Sequence, residues 1–424
     1  MSESALRNIL PSWVEADPLR GRAVDALGLQ ATADRIADEI LPGLSVQTSR
    51  ARYYALLAWA RKSCGSRADE HTIHRIEVAL AVRESHLHAN PELEDDGERC
   101  RFVGSRNLAG PRFQKPPSDP RDAYRVPVWR AYRASMRDLR LLERDDTLTH
   151  NGEMLARRFF AACRPKDATG RTMLPAGACL SAIGTREGAL LEDAIGIYRK
   201  GKLSADDTSS AARRAALERE LRDVFDDGFS VPKVLEKYES RRELKPSRTI
   251  AALREAAIWE RLSVGLNAIF LLWLHHVEKP GVATRMIQTA RRSRAASAVP
   301  FGDIAIDEHA AMHAIQSIRL ALLAVRRLAN GDAFPHSDPA VFELGEASVS
   351  STTRIGDVLE KLGARHFKAK GDDAWLREGS SGKELARDAD DKWEVPTAAR
   401  LHGYRLDAFG QILSDLRRAR RSGA

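Results

Sequence analysis

Between Arg125 and Cys163 the chain reads RVPVWRAYRASMRDLRLLERDDTLTHNGEMLARRFFAAC, and Arg130, Arg133, Arg137, Arg140 and Arg144 recur at spacings of 3, 4, 3 and 4. At the pitch of an α-helix these five guanidiniums fall within an arc of about 80°. Val128, Tyr132, Met136, Leu139 and Leu142 take the opposite side, so one face packs while the other presents positive charge. Like charges three and four residues apart repel by roughly 0.2–0.5 kcal/mol per pair. An anion offsets that repulsion, and guanidiniums at this pitch suit phosphates and guanine edges. The expected partner is DNA, with RNA as the alternative. A solvated face, or one paired to carboxylates from elsewhere in the chain, is the competing expectation. Arg291, Arg292 and Arg294, and the tail with Arg417, Arg418, Arg420 and Arg421, offer additional phosphate contacts or simply solvated faces.

Other chemistry is thinner. His71 and His74 stand one helical turn apart in EHTIH, a spacing that suits two metal ligands, but no third ligand is identifiable and the H-E-x-x-H order is absent. They give a weak alternative, a metal-dependent hydrolase or nuclease, against surface histidines on a helix start. Gly379, Gly382 and Lys383 echo a phosphate loop without its spacing and belong to a surface turn. Carboxylate pairs such as Asp226-Asp227, Asp372-Asp373 and Asp390-Asp391 sit in no nuclease pattern, and no G-x-S-x-G is present. The sequence offers no catalytic constellation and nothing that calls for a cofactor.

The elements that must position these residues are helical. Apolar periodicity predicts helices over 32–41, 49–62, 68–88, 128–142, 152–163, 209–225, 249–277, 307–330, 354–362 and 406–418. Strand signals are confined to Leu142-Glu143 and to HFKAKGDDAWLRE from His366, with Gly371 as a hairpin turn. Asn90 to Pro127 is irregular, with six prolines and scattered arginines. The expected fold is mainly α and multi-domain: a winged-helix-like N-terminal part (1–165), an α-helical middle (166–335) and a small α+β C-terminal module (336–424).

The chain has 424 residues, 67 Lys and Arg against 59 Asp and Glu, and a formal net charge of +8, a modest excess that favours polyanionic partners. Cys64, Cys100, Cys163 and Cys179 form no C-x-x-C pair and read as reduced thiols. The first residues lack a signal-peptide pattern, and VGLNAIFLLWLHHV from Val264 is short for a membrane span and reads as a core helix. A cytoplasmic protein with no membrane contact is expected.

Two stretches carry resemblances. Leu139, Leu141, Leu142, Leu148, Thr149, Gly152 and Leu155 resemble the recognition helix, wing and final helix of bacterial winged-helix domains, with Arg140 where a glycine is usual between the leucines. That resemblance implies a helix in the major groove with arginines on phosphates and guanines. The second stretch, LPGLSVQTSRARYYALLAW from Leu41, is similar to a block of bacterial proteins encoded in antiphage defence islands beside helicase or nuclease genes. Its matching residues are Leu41, Pro42, Gly43, Ser45, Thr48, Arg50, Ala51, Arg52, Tyr53 and Trp59. The likeness implies a bacterial defence context, with other subunits of a complex as partners, and no chemistry.

On a helical wheel Tyr53, Leu56, Leu57, Ala60 and Cys64 make one buried stripe with arginines at its borders, and Thr48 or Ser49 is placed to cap the helix. Arg50 and Arg52 oppose the dipole at the helix start, so they need specific partners. Carboxylates such as Asp38 and Glu39, loop carbonyls or a phosphate would serve. The block is expected to be a structural clasp. The functions expected are a DNA-binding accessory component of a defence system or a helical protein-interaction scaffold without nucleic-acid contact.

Overall fold

The computed structural model describes residues 25–45, 48, 50–65, 69–88, 119–122, 127–162, 185–195, 209–226, 230–240, 247–293, 301–328, 336, 338–370, 374–379, 382–385, 396–399, 402 and 404–421. These residues are mainly helical. In chain order the helices are α1 (Gln30–Ile40), α2 (Ala51–Cys64), α3 (Glu70–His88), α4 (Val128–Asp138), α5 (His150–Ala162), α6 (Thr185–Ile195) and α7 (Ser210–Asp226). They continue with α8 (Val231–Ser240), α9 (Arg248–His275), α10 (Pro280–Arg292), α11 (Ala310–Leu328), α12 (Pro339–Val349), α13 (Ile355–Lys370) and α14 (Leu406–Arg421). The strands β1 (Ile304–Ala305) and β4 (Ala398–Ala399) pair antiparallel, as do β2 (Leu376–Gly379) and β3 (Gly382–Leu385).

The chain divides into two compact units. One holds the described parts of Leu41–Phe225 and Arg405–Ala424, the other those of Leu19–Ile40 and Asp226–Tyr404. The boundaries do not fall near 165 and 335, where the texture of the sequence placed them. The reason is long-range packing: α1 lies on α9, and α14 lies on α2 and α6. Neither pairing leaves a local shift in composition.

In the first unit α2 is the hub, packed on α3, α4, α5, α6 and α14. Ala51 to Ala58 are all buried, with Ala60, so the expected single stripe is instead a helix enclosed on nearly every side. Small alanines between Tyr53, Tyr54, Leu56 and Leu57 allow neighbours to approach all round. Apolar periodicity did not point to α6, a neighbour that covers this helix.

In the second unit α9 is the core. Its apolar residues run round the whole helix, which is the pattern of a buried element. It is long and apolar enough to cross a membrane, yet 94% of that stretch is buried inside the fold. A Cβ on Gly265 would lie 2.6 Å from Ile318 and 2.9 Å from the Ala314 carbonyl of α11, so glycine sets the closeness of this crossing. Three of its buried charges, Glu260, Glu255 and Arg261, have close partners. Glu260 accepts from the His402 amide (2.7 Å) and faces its Nδ1 (3.0 Å). Glu255 accepts from the His336 amide (3.0 Å), and Arg261 bonds Glu239 (2.8 Å) and stacks 3.9 Å from the Phe301 ring centre.

The C-terminal hairpin differs from expectation. His366 to Lys370 complete α13, and the hairpin is β2–β3, so its turn lies beyond Gly379 and not at Gly371. Residues 371–373 lie outside the described residues. The apolar face of α13 continues to His366, which is buried because it bridges two main-chain groups. The Trp375 amide donates to Nε2 (2.8 Å), so Nδ1 carries the proton and donates to the Ala26 carbonyl (2.7 Å).

Burial pushes the His366 imidazole down to about 4, against the bond to Ala26, which favours the charged form. The unfolded chain takes up this proton near pH 6.5 and the folded chain does not until about 4. Stability is therefore present above 6.5 and lost as pH falls towards 4. At pH 5 this group removes about 2 kcal/mol relative to about pH 7.5. Urea unfolding of the wild type and His366→Gln at both pH values checks it: the variant loses that part of the pH dependence.

Candidate nucleic-acid interface

The arginine-bearing helix α4 begins at Pro127, whose side chain has no oxygen to cap the helix. Glu77 of α3 performs that task from outside, accepting from the Val128 and Trp129 amides at 2.9 Å each. Burial raises its carboxyl to about 8, against the pull of these two amides. Val128, Trp129, Tyr132, Ser135 and Met136 form the buried face. Tyr132 accepts from the Arg50 amide (3.0 Å), and the Ser135 and Tyr54 hydroxyls lie 2.6 Å apart. Arg130, Arg133 and Arg137 project from the other side, with side chains 64%, 45% and 35% exposed.

The helix ends at Asp138, so the five arginines do not share one helix as the periodicity predicted. Arg140 donates its amide to Arg137 O (2.9 Å) and Leu141 to Met136 O (2.8 Å), the paired bonds of a glycine-type helix stop. Arg140 itself has φ 56. Here a glycine would fit without strain, and an exposed arginine stands instead. Arg144 follows in the turn. Leu142 and Leu148 make one antiparallel bridge, and Thr149 then caps α5 by accepting from the Gly152 amide (3.1 Å).

Carboxylates sit within the stripe. Glu70 of α3 lies 2.5 Å from Arg130. Asp146, in the turn at φ 65, pairs with both Arg133 and Arg137, and Arg61 donates to its carbonyl (2.9 Å). Although burial works against it, the two guanidiniums hold the Asp146 carboxyl below the usual carboxylate range. It is therefore an anion at neutral pH. Arg140 and Arg144 are exposed and have no ion pair among the described residues. Three of the five arginines thus have internal partners, two of them sharing one carboxylate. Asp145-Asp146 between leucine-rich segments was a visible signal of an acidic turn; its return to face Arg133 and Arg137 was not.

The block from Leu41 lies elsewhere in this unit and is structural in geometry. Gly43 (φ 78) leaves no room for a side chain, since a Cβ would lie 2.7 Å from that of Asp138. Arg214 of α7 donates to Pro42 O (2.8 Å) and Ile195 O (2.9 Å), and burial pushes its guanidinium down to about 10. Thr48 does not cap α2. It accepts from the Ser45 amide (2.8 Å), and Asp415 of α14 accepts from the Ala51 amide (3.2 Å) at the helix start. Ser49 lies outside the described residues. Asp415 also pairs with Arg50 (3.4 Å), while Arg52 pairs with Glu187 of α6 and lies 4.3 Å from the Phe159 ring centre. Tyr53 is buried, and Trp59 packs on Phe159 at 5.6 Å between centres. Asp415 and Glu187 are thus the carboxylates on Arg50 and Arg52, while Glu39, one of the expected partners, pairs with Arg248.

The other candidates separate. Arg291, expected as a phosphate contact, donates to Ser348 O (2.7 Å), Thr353 O (2.7 Å) and Ala347 O (2.9 Å). It closes the C-terminal end of α12, where carbonyls lack helical partners. Arg292 is exposed, and Arg294 lies outside the described residues. In the tail, Arg420 pairs with Glu192 (2.7 Å). The histidine pair is split, His71 exposed and His74 buried, and among the described residues no group of three or more His, Cys, Asp or Glu is placed to hold a metal. Comparison with family models, curated proteins and solved structures finds no match to this chain.

Two outcomes follow from this geometry. Arg52→Met removes the guanidinium that faces the buried Glu187 and costs about 3–5 kcal/mol, while the double variant Arg52→Met, Glu187→Met regains most of it. Chemical unfolding of both variants checks this, and equal losses would contradict it. Arg140→Gly relieves the left-handed backbone and raises stability by about 1 kcal/mol, seen as a higher unfolding midpoint.

Proposed function

We propose that the protein is a nucleic-acid-binding accessory component that contacts the phosphate backbone, with DNA as the expected ligand and RNA as the alternative. The observation that carries this reading is Arg140. An exposed arginine, without an ion pair among the described residues, holds a left-handed position that glycine would occupy more stably. Strain retained at an exposed cationic residue points to use of that residue. Arg130, Arg133, Arg137 and Arg144 extend the same basic surface along α4 and its turn. The order helix, bridged turn and Thr149-capped helix supports the winged-helix likeness, in which α4 would lie against the groove. The block around Arg50 and Arg52 is the basis for placing the protein in a bacterial antiphage defence system, in the cytoplasm, with other subunits as partners.

A second reading, a helical scaffold without nucleic-acid contact, is favoured by Glu70 and Asp146, which already pair with three arginines. Salt dependence separates the two. Arg140→Gln with Arg144→Gln leaves the fold intact and weakens binding to labelled duplex DNA. The slope of log K against log salt becomes shallower by about 0.9 for each phosphate that is no longer neutralised. Unchanged affinity and slope, measured by fluorescence anisotropy across a potassium chloride series, would favour the scaffold.

A further inference from the structure

We propose that Arg133 and Arg137 form one phosphate subsite whose place is held by the chain's own Asp146 carboxylate, a latch that a nucleic-acid phosphate displaces. The inference rests on the nucleic-acid reading above and deepens it.

The geometry is that of a filled anion site. Oδ1 of Asp146 accepts from Nε (3.1 Å) and NH2 (2.7 Å) of Arg137, and Oδ2 pairs with NH2 of Arg133. Each carboxylate oxygen therefore serves a different guanidinium, and the two arginines stand one helical turn apart. A phosphodiester also offers two unesterified oxygens and one negative charge, so the same pair of guanidiniums suits it. One carboxylate against two guanidiniums leaves an excess positive charge, and Arg144 lies two residues from Asp146.

The latch is built to release. Asp146 belongs to a short turn, where its amide donates to Glu143 O (3.1 Å) and Arg61 holds its carbonyl. These main-chain bonds keep the turn in place when the side chain rotates away, so both arginines are freed without moving α4. The Asp146 side chain is 15% exposed and the arginines more so, which leaves the subsite open to a competing anion. A purely structural tie would have the same geometry, but it makes the opposite statement about binding.

The test uses the full chain, a labelled random-sequence DNA duplex and anisotropy across a salt series. Asparagine tolerates the left-handed backbone, so Asp146→Asn keeps the turn. The expected gain is about three- to tenfold in affinity at low salt. The salt slope steepens by about 0.9–1.8 as one or two cations become available. Adding Arg133→Gln and Arg137→Gln to Asp146→Asn returns affinity to the wild-type level or below. Asp146→Gly, which also accepts the backbone, must repeat the gain if the first variant melts early. Wild-type binding without a gain in either variant overturns the latch and leaves the nucleic-acid reading standing. A gain that survives loss of both arginines overturns the subsite. No binding by wild type or variants at low salt overturns both proposals.

Discussion

The first unit depends on carboxyl groups that reach helix starts from other helices. A helix exposes unpaired amides at its N-terminus, and these need acceptors. Yet α2 begins with Arg50, Ala51 and Arg52, and α4 begins after Pro127. Neither has a capping side chain of its own. Asp415 meets the first amide of α2, and Glu77 meets the first two of α4. These bonds couple helices that are far apart in sequence, so neither helix start is completed locally.

The same division of labour recurs with opposite charge at carbonyl groups. Arg214 closes the end of α6, and Arg291 closes the end of α12. Arg319 donates to the Arg291 (2.5 Å) and Ser293 (2.8 Å) carbonyls at the end of α10. Among the described residues, several arginines therefore serve internal capping and pairing. Net charge alone overstates how much arginine is available to a partner. On the α4 surface Arg140 and Arg144 are exposed and stand outside this internal use, as Arg292 does elsewhere, and they lie beside two arginines that share a single carboxylate.

Position and strain connect that surface to the fold. Tyr132 and Ser135 anchor the inner face of α4 to the α2 hub, and Glu77 fixes its start. With one face locked, the α-carbons that carry the arginines on the other face are held at a constant spacing. The turn after Asp138 takes two non-glycine residues, Arg140 and Asp146, into the left-handed region. Both carry the charges that define the candidate interface.

Helical content, the enclosed character of α9 and the polarity of the two faces of α4 were legible in the sequence, because they follow from local periodicity and from which side chains leave water. The need of Arg50 and Arg52 for partners was legible too, from the helix dipole. The partners were not. Asp415 and Glu187 lie far along the chain, and many carboxylates satisfy the same local requirement until packing selects one. Arg291 shows the limit from the other side, since its neighbours in sequence made it a surface cation and only the approach of α12 made it a cap. The sequence by itself determined which residues had to be buried or paired. Tertiary structure decided with whom, because pairing energy depends on distance and desolvation, and both are set only when helices distant in sequence come together.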